Sequence, residues 1–537
     1  MRTATGNTPR RFGGGGTART AGALATAVLA ATTALGAAPT ALAGPAAGPA
    51  GAHADAAAVD AALPWGDCPA AALTGPGTVC ADVEVPRDHA DPDGPSITLT
   101  VSRIPATGER WGAIAGNPGG PGGDALGMFA PGSVEMPEAV REHYDLIAVE
   151  PRGLTWGTQL NCGIADIPNS AAIAGQVGGM YAACESNDSG YAGTVTTENT
   201  ARDLDAVRGR LGDERIGLYG VSYGTDLMST YATLFPERVS GLVLDSSLDP
   251  AQRYFDIGPA REPWRRQSLE AMFAWIAERD AEYHLGTTPL QVYRAWSDRV
   301  NAEVGAPGQV YPPPAQVGDL PGAVQEDADT ILPLVDRIAP IVWRGRSAAA
   351  ALTGRIAGLS PTMTLTFGAL YSESQWATVA EAVRDGVPEG TGELPEGVTP
   401  EDYLRQLAAW QAVERAIICN DNRNDADPSL LPGAVVDQLT GGDILTLNAD
   451  QIKSGQMCVG WPAQRAAVEP SGDRLTIRPL LLQFTNDSAT TGVGGRAMQA
   501  AMGGDLHEYP GHNHGAMIAV NKPEGVDALV AAHYLGG

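Results

Sequence analysis

Residues 216–225 read IGLYGVSYGT, an apolar run that ends in Gly-Val-Ser-Tyr-Gly and passes into a segment with helical spacing. Few arrangements accommodate a serine framed by glycines at such a junction. A tight strand-to-helix turn does, because Gly220 and Gly224 supply the close clearance that the strained backbone at Ser222 requires. A serine hydroxyl is a weak nucleophile, so it must be exposed beside a base and near donors that hold a developing oxyanion. Such a turn lifts Ser222 above a sheet and makes the N–H of Tyr223 a candidate oxyanion donor. The bare pattern recurs by chance in a chain with 67 glycines, so the strand before it and the helix after it carry the argument.

The flanking sequence has the matching rhythm. From Cys80 to about Asp249 strand and helix signals alternate: Ile97 to Ile104, Gly112 to Ala115, Leu146 to Glu150, Ile216 to Val221 and Val239 to Leu244 read as strands. Ala201, Leu204, Val207 and Leu211 share one face of a helix stopped by Gly212, and Leu227, Met228, Tyr231, Leu234 and Phe235 mark a second, ended by Pro236. This alternation predicts a mostly parallel sheet with helices on both faces, an α/β architecture. Between residues 251 and 470 long amphipathic segments take over, and 7 of the 10 tryptophans fall there, which predicts a mainly helical insertion. Leu475 to Phe484 and Leu506 to Tyr509 then restore strand character, and Asp527 to Tyr534 predicts a closing helix. The expected layout is a core over 65–250, an insertion over 251–470 and the rest of the core over 471–537.

The N-terminus reads as an export signal over 1–43: Arg2, Arg10, Arg11 and Arg19 precede the Ala-rich stretch Ala21 to Leu42, and Ala41-Leu42-Ala43 offers a cleavage site. Ala52-His53-Ala54 is a second candidate site, and 44–64 reads as a flexible leader. Arg10-Arg11 followed by Phe12 leaves twin-arginine export open beside the general secretory route. No later segment approaches the roughly 20 uninterrupted apolar residues of a membrane span. A net charge of -27 argues against nucleic-acid or anionic-membrane partners, both of which select for clustered Lys and Arg. The six cysteines, Cys68, Cys80, Cys162, Cys184, Cys419 and Cys458, fit disulfides in an oxidising compartment, and pairing of sequence neighbours is the expectation. No Cys-x-x-Cys spacing suggests metal, and no cofactor is expected.

A second glycine stretch, GNPGGPGGD at 116–124, follows a predicted strand. Its backbone N–H groups can approach a substrate oxygen closely, which makes Gly120, with Gly119 beside it, the candidate second oxyanion donor. The absence of a Gly-Lys-Ser/Thr sequence argues against a phosphate loop. GNPGGPGG, VEPRG at 149–153, GVSYGT at 220–225 and CPAAALTGPGTVCADVEVPRDHADPDG at 68–94 together resemble the secreted tripeptidyl aminopeptidases, relatives of the prolyl aminopeptidases with an α/β-hydrolase core. The resemblance covers 65–250 well and 415–535 more loosely. It implies a helical cap over a Ser-His-Asp site that admits a peptide N-terminus and releases short peptides.

In this fold the triad follows the order serine, acid, histidine. Asp487 in LLLQFTNDSAT, with Thr490 three residues on, is similar to the family's acid motif, while Asp245 and Asp249 satisfy the order equally. YPGHNHGAM supplies two histidines: His514 precedes Gly515 as in the family's His-Gly, and His512 stays in contention because Asn513 stands where the family has glycine. His89, His143, His284, His507 and His533 lack such context. An aminopeptidase needs a carboxylate for the protonated amine, and Asp421 in AIICNDNRND and Asp124 after the glycine loop are the candidates. Glu150 replaces the family's aspartate in VEPRG. The segment DHADPDG at 88–94 echoes a calcium loop without its remaining ligands and reads as a turn. The expected activity is that of a secreted, monomeric serine exopeptidase acting on peptide N-termini. A secreted carboxylesterase or amide hydrolase acting on a small metabolite uses the same triad, and a binding protein on this fold is the third reading.

Overall fold

In the computed structural model the described residues are 63–163, 179–355, 357–388, 394–462 and 467–536. The expected signal and nearly all of the leader lie outside them. Eight strands, β1 (Val79–Pro86), β2 (Ser96–Ile104), β3 (Gly112–Asn117), β4 (Tyr144–Val149), β5 (Ile216–Ser222), β6 (Val239–Ser247), β7 (Leu480–Phe484) and β8 (Asp505–Tyr509), form one sheet in the order β1-β2-β4-β3-β5-β6-β7-β8. The first two pairings are antiparallel and the other five parallel. Every residue of β3 and β7, and all but the last of β5, is buried, as strands covered by helices on both faces require.

The helices stop where local chemistry dictates. Thr196 Oγ1 caps the helix Thr197–Leu211 by accepting from Asn199 N at 3.1 Å, and Gly212 ends it at φ 76°. The helix Tyr223–Leu234 follows β5 without an intervening residue. One expected strand is shorter than its apolar run: β7 begins at Leu480 rather than Leu475. Leu475 is held in a turn by a bond from its N–H to Gly472 O, and Pro479, which has no N–H, stands directly before the ladder. Residues 88–94 form turns.

Between β6 and β7 every described element is helical, including Ile257–Ala277, Ala328–Leu352, Pro400–Asp421 and Ile444–Lys453. This region packs its own core around Trp296, Phe273, Trp343 and Trp376. Thr399 and Asp402 form a capping box at the start of Pro400–Asp421. The cysteines pair as neighbours, Cys68–Cys80, Cys162–Cys184 and Cys419–Cys458. The last ties Pro400–Asp421 to the turn Gln456–Cys458. No helix among the described residues is long and apolar enough to cross a membrane.

Candidate active site

Ser222 ends β5, near the middle of the sheet, with φ 61° and ψ −129°. This strained backbone is enforced from both sides. A Cβ at position 220 would lie 2.2 Å from Gly224 O, and one at position 224 would lie 2.3 Å from Asn117 O, so only glycine fits at either place. Tyr223 is the first residue of the helix that follows, where a backbone N–H has no intrahelical acceptor.

The glycine loop after β3 lies against this turn: a Cβ on Gly119 would come within 2.8 Å of Ser222 Cβ. Gly119 donates its own N–H to Asn117 Oδ1 at 3.0 Å. Gly120, at φ 111°, lines the cavity above Ser222 together with Pro118 of the same loop.

Asp487 follows β7 and His514 follows β8, so the sheet delivers both beside Ser222 at its carboxyl edge. His514 Nδ1 meets Asp487 Oδ2 at 2.8 Å, and both side chains are buried. Asp487 Oδ1 accepts from the N–H groups of Ala489 and Thr490 at 2.8 and 3.1 Å, and Oδ2 from Thr490 Oγ1 at 3.1 Å. Burial opposes ionisation, but His514 and these donors outweigh it and hold the Asp487 carboxyl below its ordinary range.

The other candidates are engaged elsewhere. His512 Nδ1 meets Ser268 Oγ at 2.9 Å and its ring packs on Trp376. Asp245 accepts from Ala516 N at 2.7 Å, Met517 N at 2.9 Å and Tyr219 Oη at 2.8 Å, so it braces the loop that carries His514. Asp249 caps a short 3₁₀ turn. Three supports of His514 were not evident in the sequence: the Tyr371 carbonyl accepts its N–H at 3.0 Å, the Tyr371 ring packs edge-on against the imidazole, and Asn521 Nδ2 donates to its carbonyl at 2.6 Å. None of these carries a motif.

Ser222, Gly120 and His514 share a cavity of ≈ 650 Å³ roofed by the helical region, with Tyr371, Trp410, Gln451 and Met457 on its walls. The two carboxylates expected to bind an amine do not reach it. Asp421 is buried beneath, accepting from Thr197 N at 2.6 Å at a helix N-terminus, and burial pushes its pKa up to about 6. Asp124 faces a separate pocket, where it accepts from Trp156 Nε1 and neighbours Glu150. Burial raises both of these carboxyls, Glu150 the more strongly. The charged groups lining the main cavity are instead Arg261, Arg265, Glu414 and Arg415. Among the described residues no cluster of three or more His, Cys, Asp or Glu side chains has metal-binding geometry.

Comparison with known proteins agrees with the architecture. A profile described as alpha/beta hydrolase fold matches residues 116–307, and one described as TAP-like protein matches 443–536. The chain has the α/β-hydrolase fold, and its C-terminal part is similar to the TAP-like proteins. This α/β-hydrolase chain is 34% identical over 274 residues to a tripeptidyl aminopeptidase of Streptomyces coelicolor, an alignment covering 45% of the chain and 49% of the relative. It is 30% identical over 290 residues to serine protease Hip1 of Mycobacterium tuberculosis, covering 50% and 54%. The chain thus spans about half the length of these curated relatives. A longer match, 28% identical over 488 residues and covering 85% of the chain and 84% of the relative, is to carboxylesterase B of the same organism.

Proposed function

We propose that the protein is an exported serine hydrolase that releases short peptides or single residues from peptide N-termini. The observation that carries the reading is the 2.8 Å pair of His514 and Asp487 opening on the same cavity as Ser222 at its strained turn. Ser222 Oγ attacks the scissile carbonyl, and His514 takes the proton through Nε2, the ring nitrogen that Asp487 leaves available. Asp487 orients the imidazole and stabilises its cation. The N–H groups of Tyr223 and Gly120 hold the oxyanion. The protonated imidazole returns the proton to the leaving amine, and water then hydrolyses the acyl-enzyme by the same relay.

Glu414 takes the amine-anchoring role first expected of Asp421 or Asp124, as the carboxylate that lines the cavity. The names of the relatives, tripeptidyl aminopeptidase and serine protease, support a peptide substrate. Export is supported by the Arg-then-apolar N-terminus and the three disulfides. The division into a core over 65–250 and 471–537 and a cap over 251–470 is proposed with it. One observation favours a second reading: an alignment over 488 residues is with a carboxylesterase, and an esterase needs no amine anchor.

Turnover of free-amine di- and tripeptidyl chromogenic amides, their N-acetylated versions and simple acyl esters, with Ser222→Ala as control, decides between them. Cleavage of the free-amine peptides alone supports the exopeptidase; cleavage of the esters alone moves the protein to the esterase reading.

A further inference from the structure

The roof of the cavity carries an excess of positive charge that the chain as a whole does not predict. With 62 acidic against 35 basic residues, arginines here have no shortage of partners. Most buried ones use them: Arg152 pairs with Asp203 at 2.7 Å, Arg253 with Asp226, and Arg266 with both Glu262 and Asp443. Arg261 and Arg265 are different. Among the described residues neither has a carboxylate within ion-pair distance, and Arg261 Nε is buried without a hydrogen-bond partner.

The two lie one turn apart on the helix Ile257–Ala277, a spacing at which like charges repel. Burial, with Arg265 alongside, pushes the Arg261 guanidinium down to about 10. Arg415 donates to the Met457 carbonyl at 2.8 Å on the same wall. Arg261 and Arg265 therefore outnumber Glu414, the carboxylate among the described lining residues, and this part of the cavity wall is positive inside a strongly acidic protein.

We propose that Arg261 and Arg265 form a carboxylate-binding subsite, so that the preferred substrates carry a negative charge close to the scissile bond. Guanidinium is the group best suited to this, because its planar fork holds a carboxylate through paired charge-assisted hydrogen bonds. The bound carboxylate supplies Arg261 and Arg265 with the counter-charge that the fold withholds. Glu414 remains beside them for the substrate amine, which makes a short peptide bearing both charges the complementary ligand. The carboxylate has two chemical sources, an aspartate or glutamate side chain and the free α-carboxylate of a short peptide. The proposal rests on the serine-hydrolase reading of the same site.

The test is kcat/KM of the purified protein on matched peptides: Glu against Gln at each position, and free-acid against amidated C-termini. Each is measured with the parent, Arg261→Gln, Arg265→Gln, the double variant and Arg265→Lys, and thermal melting verifies that every variant folds. The expected result is at least a tenfold preference for one carboxylate-bearing series, carried mainly by KM, abolished in the double variant and partly kept by Arg265→Lys. A Glu-over-Gln preference identifies the side chain as the source, and an acid-over-amide preference identifies the C-terminus. Equal turnover of charged and neutral partners by the parent overturns the proposal, as does a preference that survives in the double variant. Labelling of Ser222 by a neutral fluorophosphonate is followed in the parent throughout. Its absence overturns the hydrolase reading, whereas labelling without any charge preference overturns the subsite alone.

Discussion

Replacing Asp487 by asparagine separates its proposed role from that of Asp245, the other buried acid at this edge of the sheet. The carboxylate's two oxygens have different partners: Oδ1 accepts two backbone N–H groups, from Ala489 and Thr490, whereas Oδ2 accepts from His514 Nδ1, the rotatable Thr490 hydroxyl and, at a long 3.4 Å, Gln483 Nε2, which also has the Phe484 and Thr491 carbonyls as acceptors. An asparagine amide placed at the Oδ1 position would set its hydrogens against two backbone donors, so the NH₂ group settles at Oδ2. There it donates to His514 Nδ1, which must become an acceptor, and the ring proton moves to Nε2. A histidine in that tautomer cannot take the proton from Ser222. The expected loss in kcat is about 10⁴-fold, the cost of the wrong tautomer in a triad, or about 5.4 kcal/mol of transition-state stabilisation. The fold is retained, because the backbone donors keep their acceptor.

Asp245→Asn has the opposite signature. Ala516 N, Met517 N and Tyr219 Oη converge on Asp245, and an amide cannot satisfy all three donors. Stability falls by about 1–3 kcal/mol, the cost of an orphaned buried donor, and the remaining folded protein keeps turnover within tenfold of the parent. Steady-state kinetics on the best substrate of the panel, with urea melts of both variants, reads the two effects separately. If Asp487→Asn retains more than a tenth of the parent kcat while Asp245→Asn abolishes it, the assignment is reversed and the tautomer argument fails.

Gly220→Ala places a Cβ 2.2 Å from Gly224 O, so the turn must open at a cost of about 3 kcal/mol; calorimetry showing an unchanged Tm would refute it. Glu150→Gln should stabilise the protein increasingly as pH rises. Burial raises the folded-state pKa above the unfolded value of about 4.3, so the parent loses stability from that pH upward until its folded pKa is passed, and glutamine removes the loss. Urea melts from pH 4 to 8 should diverge in favour of the variant, and parallel curves would sink this account. Replacing Cys419 and Cys458 by serine releases a loop with a separation of 39 residues. Chain entropy puts the loss at about 4 kcal/mol, and KM should rise more than kcat falls, because the bond ties together two elements that wall the cavity; unchanged melts and KM would refute it.

The parts of the site that could be read from the amino acids are those whose geometry is local. The turn at Ser222 needs an apolar strand, two glycines and a helix, all within twenty residues, and each leaves its own mark. The alternation that predicts a parallel sheet is equally local, because inner strands such as β3, β5 and β7 must be apolar on both faces, whereas the edge strands β1 and β8 carry polar residues. The overshoot at Leu475 shows the limit of such reasoning: hydrophobicity marks the run, but a turn and Pro479 decide where the ladder begins.

The sequence by itself thus determined the α/β core, the strained serine, the glycine loop against it and a short roster of acids and histidines. Only the tertiary structure separates the members of that roster, because packing decides which donors reach each acidic side chain. Asp421 and Asp124 look available in the sequence, yet one holds a helix N-terminus and the other an indole N–H, while Asp245 supports the loop that presents His514. The charge of the cavity was equally invisible. Arg261, Arg265, Glu414 and Arg415 come from two helices some 150 residues apart in the chain, and packing of those helices over the sheet decides which of their faces overlooks Ser222.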